Sequence, residues 1–433
     1  MPAHLSTADA DFETRFQALL AAKREEAEDV SASVAAILSD VRARGDAALI
    51  DYTERFDGLA LSSSGLRISA DEVAEASARL PDPDKAALEL AAARIEAFHR
   101  EELPKDARWT DAAGVEMGWR WRPVDAAGLY VPGGAASYPS SVLMNALPAR
   151  VAGVRRLAMC VPTPRGEIHP MVLYAASLAG VDEIYRVGGA QAIGALAYGA
   201  ESIAPVDVIV GPGNAYVAAA KRQVFGKVGI DSIAGPSEIV IVADRGANPD
   251  WLAMDLLAQA EHDAAAQSIL ISDDADLLTQ TAGAVARALD TLPRAEIAGA
   301  SWRDHGATIL VRDFEEATAL VDRLAPEHLE LAVADPDGLA ADIRHAGAIF
   351  LGHHTPEALG DYLGGPNHVL PTARAARYAS GLSTYAFLKR TTILQATPEA
   401  LAELGPSVER LAEAEGLHAH GRSVAIRGNG GGR

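Results

Sequence analysis

Two short constellations suggest chemistry before any fold is assigned. Gln259 and His262 stand three residues apart after Asn248-Pro249-Asp250, where proline at a first helical position predicts a helix. Both side chains then project from one face and can meet one ion. Glutamine is an uncommon zinc ligand, because its neutral amide oxygen is a weaker donor than thiolate or imidazole, so this spacing alone equally describes a polar helix face. Glu327 and His328 follow Leu324-Ala325-Pro326, where proline predicts the opening of another helix and leaves two titratable groups beside a turn. A histidine suits removal of a proton from an alcohol near neutral pH, and a neighbouring carboxylate can activate water. Taken alone, the pair equally describes a solvated surface.

The stretch Gly360–Thr372 adds a carboxylate, Asp361, an imidazole, His368, and three glycines in what reads as a loop after a strand and a short helix. Loops at the carboxyl ends of parallel strands are where ligands bind, which favours a site over a bare turn. Gly128–Gly134 and Val210–Tyr216 read as tight turns that expose backbone amides. Neither is a dinucleotide fingerprint, since Tyr216 stands where the third glycine or alanine belongs. Cys160, the single cysteine, lies inside the apolar run Leu157–Val161 and is expected to be buried and inert. Oxidation of an aldehyde here should therefore use activated water rather than a thioester.

The elements that would position these groups follow from periodicity. Residues from Thr14 to about Glu102 read as helical, broken at Asp57-Gly58 and Pro81-Asp82-Pro83. Strand candidates are Leu157–Val161, Glu183–Val187, Val206–Val210, Glu238–Val242, Ser268–Ile271, Ala307–Val311 and Ala348–Leu351. Helix candidates lie between them, near 168–179, 190–200, 215–225, 250–262, 275–289, 314–324 and 336–345. Strands separated by one helix each need crossover connections, the signature of parallel sheets covered on both faces. The expected fold is α/β, two Rossmann-like parallel-sheet units with an N-terminal helical region and a helical C-terminal extension. Expected boundaries are 1–122 mainly helical, 123–236 the first unit, 237–375 the second, and 376–433 the extension, with the last residues from Gly428 disordered.

Composition excludes several classes. The 433 residues carry a formal charge of −21, which argues against an electrostatic nucleic-acid binder. No run approaches the roughly 18 apolar residues that span a bilayer, so no membrane partner is expected. The acidic first thirty residues do not read as an export or transit signal, and cytoplasmic residence follows. Nine of the twelve histidines fall after residue 250, pointing to the second half for function.

Taken together, Gly128–Gly134, Arg186–Ala192, Val210–Tyr216, Ala234–Glu238, Ala258–Asp263, Pro326–Leu329, Gly360–Thr372 and Glu413–His420 closely resemble the histidinol dehydrogenase family, in order and over nearly the whole chain. The resemblance implies NAD-dependent four-electron oxidation of L-histidinol to L-histidine. It implies one Zn2+ per subunit on Gln259, His262, Asp361 and His420. It assigns His328 to the alcohol proton and Glu327 to the attacking water, with Ser237, Gln259, His262, His328, Asp361, His368, Glu415 and His420 around the substrate. Tyr130, Gln191 and Asn214 match positions that contact NAD. The family's C-terminal segment reaches a neighbouring subunit, which implies a homodimer with intersubunit active sites. His418 is a spare imidazole beside His420. A related zinc and NAD dehydrogenase acting on another small amino or hydroxy alcohol is the nearest alternative, though Glu415 within Glu-Gly-Leu-x-x-His favours histidinol. A non-catalytic two-lobed binding protein is a further alternative, against which the Glu327-His328 pair argues.

Overall fold

The computed structural model describes residues 2–21, 30–133, 138–233 and 235–428. Gly134 of the first glycine-rich turn, Ala234 of the expected sheet boundary and the terminal run from Asn429 lie outside these. Gly428 itself ends the helix His418–Gly428.

The strands are, in chain order, β1 (Ala3–Ser6), β2 (Arg67–Ile68), β3 (Ala107–Thr110), β4 (Glu116–Pro123), β5 (Ala126–Tyr130), β6 (Arg156–Cys160), β7 (Glu183–Tyr185) and β8 (Val208–Val210). They continue as β9 (Gly229–Ile230), β10 (Glu238–Ala243), β11 (Gln267–Ser272), β12 (Ala307–Leu310), β13 (His328–Ala332), β14 (Ala348–Leu351) and β15 (Leu388–Gln395). The chain divides into two compact units, Met1–Glu101 with Asp125–Phe387, and Glu102–Val124 with Leu388–Arg433. Both parallel sheets belong to the first.

The first sheet runs β2-β7-β6-β5-β8-β9, parallel except for the antiparallel β2 at its edge. Its parallel strands follow the chain order 3-2-1-4-5, so the crossovers diverge between β5 and β8, where a doubly wound sheet opens a crevice at the carboxyl ends. On one face of this sheet Tyr130, Ala158 and Cys160 belong to a core with Val34, Leu38, Val41, Ile193 and Leu196. The Gly128–Tyr130 part of the first glycine-rich segment is strand β5 rather than turn, fully buried between β6 and β8.

The second sheet runs β1-β12-β11-β10-β13-β14 and is parallel throughout. Its central strand shows why both faces are covered. Ile239, Ile241 and Ala243 point into a core with Leu252, Leu256 and Val285, while Val240 and Val242 point into another with Phe16, Leu20 and Val321. Alternation of period two between two dry faces gives the near-continuous apolar run of a buried parallel strand. The N-terminal segment, read as helical, contributes β1 to this sheet.

In the second unit, β15, β4 and β3 form an antiparallel sheet, followed by the helices Pro398–Ala414 and His418–Gly428, which pack on each other. The stretch Leu388–Gln395, expected within a helical extension, is instead a strand paired along its whole length with β4. Among the described residues no helix is long and apolar enough to cross a membrane.

Candidate active site

The catalytic candidates meet at the amino ends of β10 and β13, opposite the usual ligand end of a parallel sheet. Glu238 and His328 are the first residues of these paired strands, with His328 in register with Ile239. This corrects two expectations. Pro326 does not open a helix: Ala325, left-handed at φ 44, ends the helix Phe314–Leu324, and the chain passes directly into β13. Asp361 lies in the short helix Glu357–Tyr362, which follows β14 and returns to the amino side, rather than in a carboxyl-end loop.

Glu238 organises the pair through its main chain. Its N–H donates to Glu327 Oε2 at 2.9 Å, and its carbonyl oxygen lies 3.0 Å from His328 Nδ1. That carbonyl can only accept, so Nδ1 carries the proton and the lone pair resides on Nε2. Nε2 is buried without a partner among the described residues. Burial, with repulsion from His368 and His262, lowers the His328 pKa to about 3, so the ring is neutral at ordinary pH. Glu327 Oε2 and Glu357 Oε1 lie 3.7 and 3.6 Å from Nδ1, and all three residues are buried.

Gln259, fully buried in the last turn of the helix Pro249–Ala260, matches the neighbouring oxygens when its amide nitrogen faces Glu357 Oε1 at 3.2 Å and Glu238 O at 3.3 Å; the same nitrogen lies 3.1 Å from His328 Nδ1, which does not accept from it while its own proton points to the Glu238 carbonyl. Its oxygen then faces the other way. His262 lies in the turn just beyond that helix, its N–H donating to Gln259 O at 3.2 Å. Burial pushes Asp361 up to about 6, against a lowering by nearby His262. The Asp361 carbonyl accepts from His368 Nδ1 at 3.0 Å, and burial lowers His368 to about 4. The neighbouring Asn367 anchors that loop by donating to Met144 O at 2.6 Å. Ser237, half-buried, precedes β10 and accepts from Gln267 N at 3.0 Å.

Among the described residues, His328, Glu357 and Asp361 offer ligand atoms within 4.8 Å of one another. Only Asp361 belongs to the expected metal set. The donors do fit a borderline divalent cation: a buried carboxylate, a histidine facing it, an amide oxygen turned from the acids, and no thiolate. Glu415 and His420 are placed in the second unit, at the end of the helix Pro398–Ala414 and in the helix His418–Gly428, and both are exposed, as is His418. Two participants escaped the sequence reading. Glu357 was legible as a carboxylate four residues before Asp361, one helical turn away. Its carboxyl is pushed upward by burial and then by Asp361, Glu330 and Glu327. Glu238 acts through backbone atoms, for which side-chain type is no signal.

The three expected cofactor residues gather at the carboxyl ends of the first sheet. Tyr130 ends β5, and its hydroxyl accepts from Gly189 N at 3.1 Å. Burial pushes this phenol up to about 12, so it stays protonated. Gln191 is buried in the helix Gly189–Tyr198 with Oε1 unpartnered among the described residues. Asn214 caps the helix Ala215–Val224, accepting from Tyr216 and Val217 N–H groups at 3.1 and 3.2 Å, which leaves its amide nitrogen as an outward donor. Cys160 is buried at the end of β6, its thiol raised to about 12 by desolvation.

Comparison with known proteins gives a consistent result. The family model described as Histidinol dehydrogenase matches residues 20–428. The chain is 65% identical over 432 residues to the histidinol dehydrogenase of Rhodospirillum rubrum, covering 100% of both, and 64% identical over 427 residues to that of Ruegeria pomeroyi, covering 99% of both. The crystal structure of histidinol dehydrogenase from Elizabethkingia anophelis superposes with a TM-score of 0.94 at 38% identity, over 98% of each chain.

Proposed function

The chain belongs to the histidinol dehydrogenase family, and from that premise we infer that it oxidises L-histidinol through L-histidinal to L-histidine, the last steps of histidine biosynthesis, reducing two NAD. The observation that carries this reading is the buried Nε2 of His328, without a partner among the described residues, in a ring whose tautomer is set by the Glu238 carbonyl beside Glu327. The alcohol proton passes from oxygen to Nε2 as hydride leaves the carbinol carbon for the first NAD, giving the aldehyde. Glu327 takes a proton from water as the water oxygen bonds to the aldehyde carbon. The adduct is left as an oxyanion, and its remaining hydroxyl proton passes to Nε2, which has released the first proton to solvent, as hydride leaves for the second NAD and the carboxylate results. Cys160, buried and protonated, plays no part.

Gln259, His262, Asp361 and His420 would hold one zinc ion per subunit, which when bound supplies a positive charge that orients the substrate. Tyr130, Gln191 and Asn214 would contact NAD, and Ser237, His368 and Glu415 the substrate. The exposed position of Glu415 and His420 supports a homodimer in which the second unit serves a partner's site. So do the large apolar side chains on that unit, Leu394 at 72%, Leu411 at 64% and Ile426 at 68% exposure. A fully active monomer in sedimentation and assay at one concentration refutes the shared site.

The reaction is tested by counting NADH per L-histidinol at completion with NAD in excess, with and without a chelator. Two NADH, lost on chelation and restored by zinc, are expected. One NADH means that oxidation ends at the aldehyde, and none overturns the substrate assignment.

A further inference from the structure

We propose that the buried ion pair Lys221–Asp231 is a positioning device that presets the Gly211–Asn214 loop for NAD. The proposal rests on the cofactor reading of that loop given above. Both side chains are nearly inaccessible, at 3% and 5% exposure, and they pair directly with each other. Between them they hold both ends of one residue. Asp231 Oδ2 accepts from Gly211 N at 2.8 Å, and Lys221 Nζ donates to Gly211 O at 2.9 Å.

Gly211 is where such a hold is needed. It follows β8 at φ 115, a conformation that side-chain-bearing residues rarely adopt, and a Cβ there would collide with the Tyr130 carbonyl oxygen. Three elements converge on it: Tyr130 from the end of β5, Lys221 from the helix that Asn214 caps, and Asp231 from just beyond β9. The Asp231 main chain is itself tied to Ile209 O of β8 at 3.3 Å. The loop thus has its first residue clamped and its last residue fixed as a helix cap.

A buried ion pair is a weak stabiliser compared with apolar side chains of similar volume, because desolvation offsets its attraction. Its return is geometric: an acceptor and a donor set at fixed places around one peptide. A loop already in its bound shape loses less freedom when ligand arrives, and so binds more tightly.

The test uses Asp231→Asn and the neutral double variant Lys221→Met/Asp231→Asn in the full-length protein. An amide at 231 offers one acceptor where the carboxylate serves two donors, so one arm of the clamp must fail. The double variant avoids leaving a buried charge alone. Both are expected to raise KM for NAD about tenfold, the cost of about one misplaced charged hydrogen bond, with kcat and KM for L-histidinol changed less than about threefold. Amide exchange by mass spectrometry on the unmodified protein gives a second readout: peptides covering Gly211 should be protected before NAD is added. Folded variants with lower thermal stability but unchanged KM for NAD would reduce the pair to a structural role and overturn the proposal, as would rapid exchange at Gly211 without NAD. A wild-type protein that reduces no NAD fails the cofactor reading instead, and the proposal falls with it.

Discussion

His328 makes two separable contributions, and one substitution can remove one while keeping the other. Its Nδ1–H satisfies the buried Glu238 carbonyl at 3.0 Å, and its Nε2, without a partner among the described residues, is the proposed base. In His328→Asn the side-chain amide places a donor close to the former Nδ1 but nothing at Nε2. The fold should keep the hydrogen bond, worth about 1 kcal/mol net, whereas His328→Ala leaves a buried carbonyl unmet at a cost of about 1–3 kcal/mol. Both variants lose the base. General base catalysis contributes about 10²–10⁴-fold, or about 3–5 kcal/mol in the barrier. We therefore expect kcat for L-histidinol to fall by about that factor in both variants, with thermal stability close to wild type in the asparagine variant and lowered in the alanine variant. Steady-state NADH production and calorimetry measure the two quantities separately. If the asparagine variant kept kcat within about tenfold of wild type, ring placement rather than Nε2 would be the source of catalysis, and the assignment of the base would be wrong.

Other expectations follow from the same geometry. Glu327→Gln still accepts from Glu238 N–H but cannot take a proton from water, so it should yield about one NADH per L-histidinol at early times and accumulate the aldehyde, detectable by hydrazine trapping. His420→Ala should lose zinc and activity and His418→Ala largely retain both; equal losses in metal analysis would undo the choice between them. Asp361 must be ionised and the histidine ligands neutral to hold a cation, so with the Asp361 pKa raised to about 6 metal affinity should fall at least tenfold per unit below about pH 6, a trend that equilibrium dialysis can follow. Cys160→Ala should retain both oxidations within about twofold, and prior treatment of wild type with iodoacetamide should not inhibit it, because the thiol is buried and held protonated.

The parallel sheets were legible where strands are short apolar runs between helical stretches, whether or not both faces are buried. Ser268–Ile271, for example, lies within β11, and Ala348–Leu351 coincides with β14. β5 escaped notice because Ala126-Ala127-Gly128 has little strand propensity and is extended only through its pairing with β6 and β8. β15 carries lysine, arginine and threonine and is set by a partner more than 260 residues away, which leaves no local trace. At the site, residue types with chemical capacity stood out, and His328, Glu327, Gln259, His262, Asp361 and His368 all fall in one region of the first unit. Their arrangement was not legible. Pro326 suggested a helix because proline's preference for a first helical position is local, whereas the left-handed Ala325 and the pairing with β10 decide the path. Glu238 and Glu357 contribute by where they are held, the first through main-chain atoms that every residue possesses.

That dependence on Glu238 bears on how activity is acquired during folding. Glu238 and Glu327 are 89 residues apart in the chain, so His328 receives its tautomer only when β10 and β13 have found each other across the intervening helices and strands. Long-range parallel pairing is slow because its loop must close before any contact rewards it. Recovery of turnover in a refolding experiment is accordingly a clock for this one pairing, running behind signals of helix formation, and a ribosome-bound chain ending before residue 328 holds Gln259 and His262 but not the proposed base.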